Sequence, residues 1–263
     1  MNLQLEDKVA LVTAASRGLG YATARALAQE GCHIALCARQ EAPLVSAAER
    51  LSNDTGVEVL PIPADVTEEN AADRLAAITL DEFGQIDALF VNAGGPPPGG
   101  FLDFQPQDWE DAMDLTIQSA VRLTYAVVPV MRRQRDGSIL FDTSLTVKHP
   151  LDNLILSNSL RMSIVGLMKS LSIELGPDNV RANAIAPGWT RTARVEQLLA
   201  DRAVRNESTP DAEAATIATD IPLGRMADPK EFGQVAAFLL SPAASYITGV
   251  TLLVDGGMTR AVM

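Results

Sequence analysis

Short apolar runs alternate along the chain with longer stretches in which apolar residues return every three or four positions. Seven runs, at residues 8–15, 33–39, 57–66, 86–94, 138–144, 180–188 and 250–255, carry few charges. Such runs predict strands of a parallel sheet covered on both faces. Between them lie helical patterns at 19–30, 68–83, 106–135, 152–175 and 229–240. In the first of these, Ala22, Ala26, Leu27 and Glu30 fall at three- and four-residue steps. Strand–helix alternation with short connections predicts βαβ units and hence an α/β architecture, a doubly wound parallel sheet of seven strands with helices on both faces. No linker rich in Gly, Ser and Pro divides the chain and no repeat recurs in it. Residues 1–263 read as a single domain.

One connection is long. Residues 189–221 put 33 positions between the sixth strand and the last helix, and an insertion of that length in an α/β domain predicts a substrate lid. Its arginines, Arg191, Arg194, Arg202 and Arg205, stand among six acidic residues. A solvated pair of surface helices is the competing account of that composition.

Composition narrows the function. Of 263 residues, 47% are hydrophobic and 21% charged, which supports a packed core and excludes intrinsic disorder. With 21 Lys and Arg against 33 Asp and Glu, the net charge of −12 repels nucleic acid and anionic lipid, so neither is an expected partner. Cys32 and Cys37, five residues apart in one strand pattern, point to opposite faces and build no disulfide framework. Two histidines, His33 and His149, exclude a multi-histidine zinc site, and no metal is expected. The start of the chain lacks the basic and apolar segments of a signal peptide, and no 18-residue apolar stretch occurs. A cytoplasmic protein is the expectation.

The chemistry-bearing segments begin at the first strand–helix turn, Thr13-Ala14-Ala15-Ser16-Arg17-Gly18-Leu19-Gly20. Gly18 and Gly20 let the backbone approach a pyrophosphate, whose charge the following helix N-terminus favours. Two glycines alone are also ordinary turn chemistry; the strand before and the helix after supply the context for a nucleotide site.

This turn resembles the fingerprint of the short-chain dehydrogenase/reductase family, Thr-Gly-x-x-x-Gly-x-Gly, with Ala14 standing where the family has its first glycine. Ala64-Asp65-Val66 is similar to the segment whose Asp holds the adenine ring. Asn92-Ala93-Gly94, after Val91, resembles the family's Asn-Asn-Ala-Gly. Pro187-Gly188, followed by Thr190 and Thr192, resembles the segment that clasps the nicotinamide carboxamide. Residues 245–257 resemble the C-terminal region that helps build tetramers. The resemblance runs nearly the full chain and implies a Rossmann-type fold, a nicotinamide cofactor, a small-molecule substrate and a homotetramer. The nearest pattern is that of 3-oxoacyl-acyl-carrier-protein reductases, which implies a carbonyl, alcohol or acyl thioester substrate. Pro129 and Ile173 occupy the positions that align with that group's basic carrier-docking residues, while Arg132, Arg133 and Arg135 offer either a substitute or ordinary helix-end charge complementation.

Charge bears on the cofactor. NAD-specific members place an acid at the end of the second strand to accept ribose hydroxyls. Here Ala38 and then Arg39 stand there, and Arg17 lies in the glycine turn. Two guanidinium groups without a carboxylate suit a 2′-phosphate, so NADP(H) is expected over NAD(H).

At the catalytic end the sequence departs from the family, whose working groups are an Asn, a Ser and a Tyr-x-x-x-Lys pair. Thr116 stands in the Asn position, Ser144 keeps the Ser, and Ser157 and Arg161 stand in the Tyr and Lys positions, while Gly166 and Lys169 hold their family spacing. A serine hydroxyl is far less acidic than a phenol, and an arginine does not deprotonate at working pH. Arg161, one helical turn after Ser157, remains able to bind the nicotinamide ribose or to donate to a developing alkoxide. Lys148 and His149 follow Ser144 in a loop at the ligand-binding edge of the sheet and are alternative proton donors, or a solvated loop pair. Two functions follow: an NADP(H)-dependent carbonyl–alcohol oxidoreductase with altered acid/base residues, or a nucleotide-binding sensor or structural subunit without redox turnover.

Overall fold

The structure, a computed structural model, describes residues 2–261. Its strands are β1 (Val9–Val12), β2 (His33–Ala38), β3 (Val59–Pro63), β4 (Ala88–Val91), β5 (Gly137–Asp142), β6 (Val180–Pro187) and β7 (Thr251–Val254). They form one sheet in the order β3-β2-β1-β4-β5-β6-β7, and every neighbouring pair is parallel. The strand order reverses between β1 and β4, which opens a ligand crevice beyond their C-terminal ends.

Strand side chains alternate between two cores, as the two-residue period requires. Ala10, Val12, Ile34, Leu36, Phe90 and Leu140 face one core with α1 (Gly18–Gln29), α2 (Glu41–Thr55) and α9 (Pro229–Leu240). Leu11, Ala35, Cys37, Leu89, Ile139 and Phe141 face the other with α3 (Ala71–Phe83), α5 (Ser119–Gln134) and α6 (Ile155–Glu174). Burial of the two sheet faces is what drives the fold, each fully buried Leu or Phe contributing about 1.5–3 kcal/mol. Cys32 belongs to the first core and Cys37 to the second, so the two thiols do lie on opposite faces. Both are free, and burial pushes both upward, Cys37 to about 12, which leaves each an inert core residue.

Three expectations needed correction. The helix α2 was absent from the sequence-based prediction, although Leu44, Ala47, Ala48 and Leu51 bury at helical steps. Its Pro43 falls in the first turn, where the missing N–H has no intrahelical acceptor to lose. The pattern at 106–135 is not one helix: α4 (Pro106–Met113) passes through a π-turn at Asp114–Gln118 into α5. The helix expected from residue 152 starts at Ile155, because Asn153 takes a left-handed φ of 61° and Leu154 bridges to Gly99.

The long connection folds into α7 (Ala193–Arg205) and α8 (Pro210–Asp220). They bury Leu199, Ile217, Ile221 and Met226 in a small core of their own. Between them the buried Glu213 carboxylate accepts hydrogen bonds from Ser208, from Asn206 at 3.0 Å and from Arg202 at 2.6 Å. Those partners, Ser208 foremost, hold it below the usual carboxylate range. Among the described residues, no helix is long and apolar enough to cross a membrane.

Candidate active site

The glycine turn leaves β1 under tension and enters α1 uncapped. Thr13 Oγ1 donates to the Asn92 carbonyl at 2.7 Å and accepts the Asn92 amide at 3.0 Å, tying the ends of β1 and β4 together. Ala14 follows with φ of 49°, in the left-handed region that disfavours a Cβ. Arg17 is the N-cap of α1 yet makes no side-chain cap, and the first turn holds no carboxylate. The amides of Gly18, Leu19 and Gly20 thus form an open anion-attracting end. A Cβ at Gly20 would meet Ala14 O at 2.6 Å, so the helix approaches the strand as closely as only glycine allows. Ser16 is half-buried in the same turn.

Around this turn the structure gathers the other nucleotide-end residues. Arg39, exposed at the end of β2, lies 3.8 Å from Asp65, whose carboxylate also accepts from the Thr67 amide and hydroxyl. Val66 packs against the second core. Ala93 and Gly94 continue from β4, and a Cβ at Gly94 would meet nothing within 4 Å. Pro187 ends β6 and Gly188 follows it, Thr190 is buried, and Thr192 caps α7 by accepting from the Val195 amide. Thr192 Cγ2 stands 3.8 Å from where a Gly18 Cβ would be, so the segment after β6 overhangs the glycine turn.

The catalytic-end residues come together at the end of β5. Ser144 Oγ accepts from the Thr146 amide at 3.2 Å, and Thr146 Oγ1 lies 3.4 Å from Ser157 Oγ. Thr146 therefore sits between the two serines, a placement created by the short 3₁₀ turn Leu145–Val147. Arg161 Nη1 donates to the carbonyl oxygens of Asp142 at 3.1 Å and Thr143 at 2.8 Å. Thr116, in the π-turn, is buried and lines the same cavity as Asp142, Arg161 and Gly94. Burial pushes the Asp142 carboxyl up to about 7, against the pull of Arg161. Burial draws the Arg161 guanidinium down, with Asp142 opposing and Arg194 adding to the shift.

Lys148 and His149 are exposed, and among the described residues neither side chain makes a hydrogen bond or ion pair. From the long connection, Arg194, itself exposed, is the one of the four arginines that reaches the loop after β4. Its Nη2 donates to the Pro96 carbonyl at 2.6 Å and the guanidinium packs on Gly95. Asp142, Thr146 and Arg194 were absent from the site predicted from sequence. The one available signal was a carboxylate at the end of the otherwise uncharged run 138–144.

Comparison with known proteins decides what this arrangement belongs to. The sequence model described as Enoyl-(Acyl carrier protein) reductase matches residues 13–259. Dehydrogenase/reductase SDR family member 4 of Sus scrofa is 34% identical over 254 residues, 96% of this chain and 88% of that protein. The chain belongs to the short-chain dehydrogenase/reductase family.

Within that family, Oxidoreductase UcpA of Salmonella typhimurium is 34% identical over 260 residues, covering 97% of this chain and 96% of the relative. Among solved structures of short-chain dehydrogenase/reductases, L-sorbose reductase from Gluconobacter frateurii, complexed with NADPH and L-sorbose, superposes over all of both chains with a TM-score of 0.95 at 31% identity. A variant of actinorhodin polyketide ketoreductase with NADPH gives 0.92 at 28% identity, over 97% of this chain and 98% of that one. The fold, the parallel order of the sheet and the oxidoreductase class thus agree with the expectation from sequence.

Proposed function

We propose that this chain is an NADP(H)-dependent reductase that interconverts a small carbonyl compound or acyl thioester with its alcohol, using altered acid/base groups. The observation that carries the reading is the charge at the dinucleotide end. No carboxylate ends β2, and Arg39 and Arg17 are both exposed at that edge of the sheet. A 2′-phosphate there meets guanidinium donors, while ribose hydroxyls meet no acceptor from β2. The open α1 terminus and the unfilled space beside Gly94 accommodate a pyrophosphate and its ribose. NADPH in the sorbose reductase and polyketide ketoreductase structures supports the same choice.

The nicotinamide, when bound, supplies or takes up the hydride. Thr190, Thr192, Pro187 and Gly188 would hold the nicotinamide end of the cofactor, and Asp65 and Val66 would border the adenine. Ser144 and Ser157 orient the carbonyl oxygen, and Arg161 holds the ribose or steadies the developing alkoxide. The residues in 189–221 close over the substrate, with Arg194 latched to the opposite loop at Pro96. Ser157 is a poor proton donor, and general acid catalysis is worth about 10²–10⁴-fold. Turnover of 3-oxoacyl thioesters is therefore slow.

The test is NADPH oxidation with a 3-oxoacyl thioester and a panel of small ketones and ketoses. Faster oxidation of NADPH than of NADH with any of them supports the reading. Installing Ser157→Tyr with Arg161→Lys raises the 3-oxoacyl rate, and Lys148→Ala reports whether that exposed lysine supplies protons. A protein that binds NADPH but reduces nothing, even after the double substitution, is the nucleotide-binding form without turnover, which Ser157 and Arg161 favour.

A homotetramer is part of the same proposal. Tyr125 on α5 and Ile173 on α6 are 77% and 72% exposed, and Tyr246 is fully exposed beside β7. Closed symmetric assemblies bury such self-complementary patches. Light scattering that reports a monomer at micromolar concentration overturns it.

A further inference from the structure

Arg194 stands in the first turn of α7, and its guanidinium lies over Gly95, where a Cβ would press on Nε at 3.3 Å and on Nη2 at 3.4 Å. Nη2 donates to the Pro96 carbonyl oxygen at 2.6 Å. Among the described residues, Nε and Nη1 make no hydrogen bond and no carboxylate pairs with the side chain. Asp201, the acid whose charge reaches Arg194, accepts from Gln197 at 2.9 Å instead.

Arg161 is a second cation in the same condition. Its Nη1 rests on the carbonyl oxygens of Asp142 and Thr143, its buried Nε has no partner, and among the described residues it makes no ion pair. Gly94, next to the Gly95 that Arg194 covers, lines one cavity with Arg161, so the two guanidinium groups flank the same loop. Each disfavours the other, and the charge of Arg194 adds to the downward draw on Arg161. Asp142 offsets little of this charge below about 7, because burial pushes its carboxyl up to that value. Lys148 and Arg191, exposed after β5 and β6, add to the positive charge at this end of the sheet. In a chain of net charge −12, that is a local exception, and it draws in an anion.

The kind of anion follows from what surrounds Arg194. A phosphate is best served by an open helix N-terminus. That of α7 is closed, since Thr192 accepts from the Val195 amide and Glu196 stands in the first turn. A carboxylate is served by a guanidinium alone. We infer that the substrate is a small oxo acid, and that Arg194 grips its carboxylate while Arg161 faces its carbonyl oxygen. The assignment rests on the reductase reading above and narrows it to free acids rather than thioesters. Hydride and proton go to the carbonyl group, and the carboxylate keeps all its bonds. Its part is to bind and to orient the carbonyl.

Calorimetric titration of the NADP+ complex, which has no hydride to give, reads binding without turnover. The probes are small 2-, 3- and 4-oxo acids and their methyl esters. At least one acid binds about tenfold or more tighter than its own ester, the size of a charge-assisted hydrogen bond. Arg194→Gln keeps a donor for Pro96 and removes the charge, so it erases that preference and leaves the ester unchanged. A guanidinium that only latched the two loops together would weaken acid and ester alike, and that result overturns the inference. So does a panel in which no acid outbinds its ester, or a preference that survives Arg194→Gln. A phosphate of the cofactor is the other source of an anion. If Arg194→Gln loosens NADP+ by the same factor as the acid, the guanidinium serves the cofactor and the inference falls. Acids that bind as expected but are not reduced by the NADPH complex overturn the reductase reading and leave the carboxylate site standing.

Discussion

Arg161 Nη1 donates to the Thr143 carbonyl oxygen at 2.8 Å, which fixes the guanidinium against the end of β5. The contact gives a side chain of α6 a structural duty at the strand terminus that precedes Ser144. Replacing Arg161 with Leu leaves the Thr143 and Asp142 carbonyls short of a donor and costs about 1–3 kcal/mol in denaturant unfolding. The same variant removes the cation that favours the Asp142 carboxylate, so the pH at which the Asp142 carboxyl ionises, read from its infrared band, rises.

Asp142 also makes folding stability depend on pH. Its folded-state value, about 7, lies above the ordinary 3.8. Between those values the folded chain keeps a proton that the unfolded chain has released. The stabilisation is full below the ordinary value and is lost as pH rises toward 7, with no further change above it. Asp142→Asn flattens that decline. Urea unfolding of both proteins at about pH 5 and about pH 8 reads it, and the two should differ more at the alkaline point.

Arg39 bears on cofactor choice. Arg39→Ala weakens NADPH binding and leaves NADH binding nearly unchanged, because only NADPH carries the phosphate a guanidinium can grip. Calorimetric titration of both cofactors decides it. Equal losses, or tighter NADH binding by the unaltered protein, would show that the guanidinium serves only Asp65.

Ala14 stores strain at the turn. Its φ of 49° is where a Cβ costs about 1–2 kcal/mol and glycine costs nothing steric. Ala14→Gly raises stability by about 1 kcal/mol, less the extra entropy of an unfolded glycine. A shifted denaturation midpoint at unchanged slope is the expected signature.

The strand–helix alternation, the seven parallel strands and the glycine turn could be read from residue order, because each depends on local period and on short-range backbone sterics. The opposite-facing cysteines were legible for the same reason. Boundaries were less legible: the start of α6 depends on Leu154 pairing with Gly99, and nothing local to residue 152 encodes a contact to the loop after β4.

The site divides in the same way. Sequence order alone placed Ser144, Ser157 and Arg161 on a strand end and one face of the next helix. Only the tertiary structure put Thr146 between the two serines, brought Arg194 across to Pro96, and set Asp142 beside Thr116 and Arg161 around one cavity. A carboxylate at a strand end is, by sequence, an ordinary polar boundary. What changes it is the partial loss of water around a half-buried side chain, and desolvation is a property of the surroundings in space rather than of the neighbours along the chain.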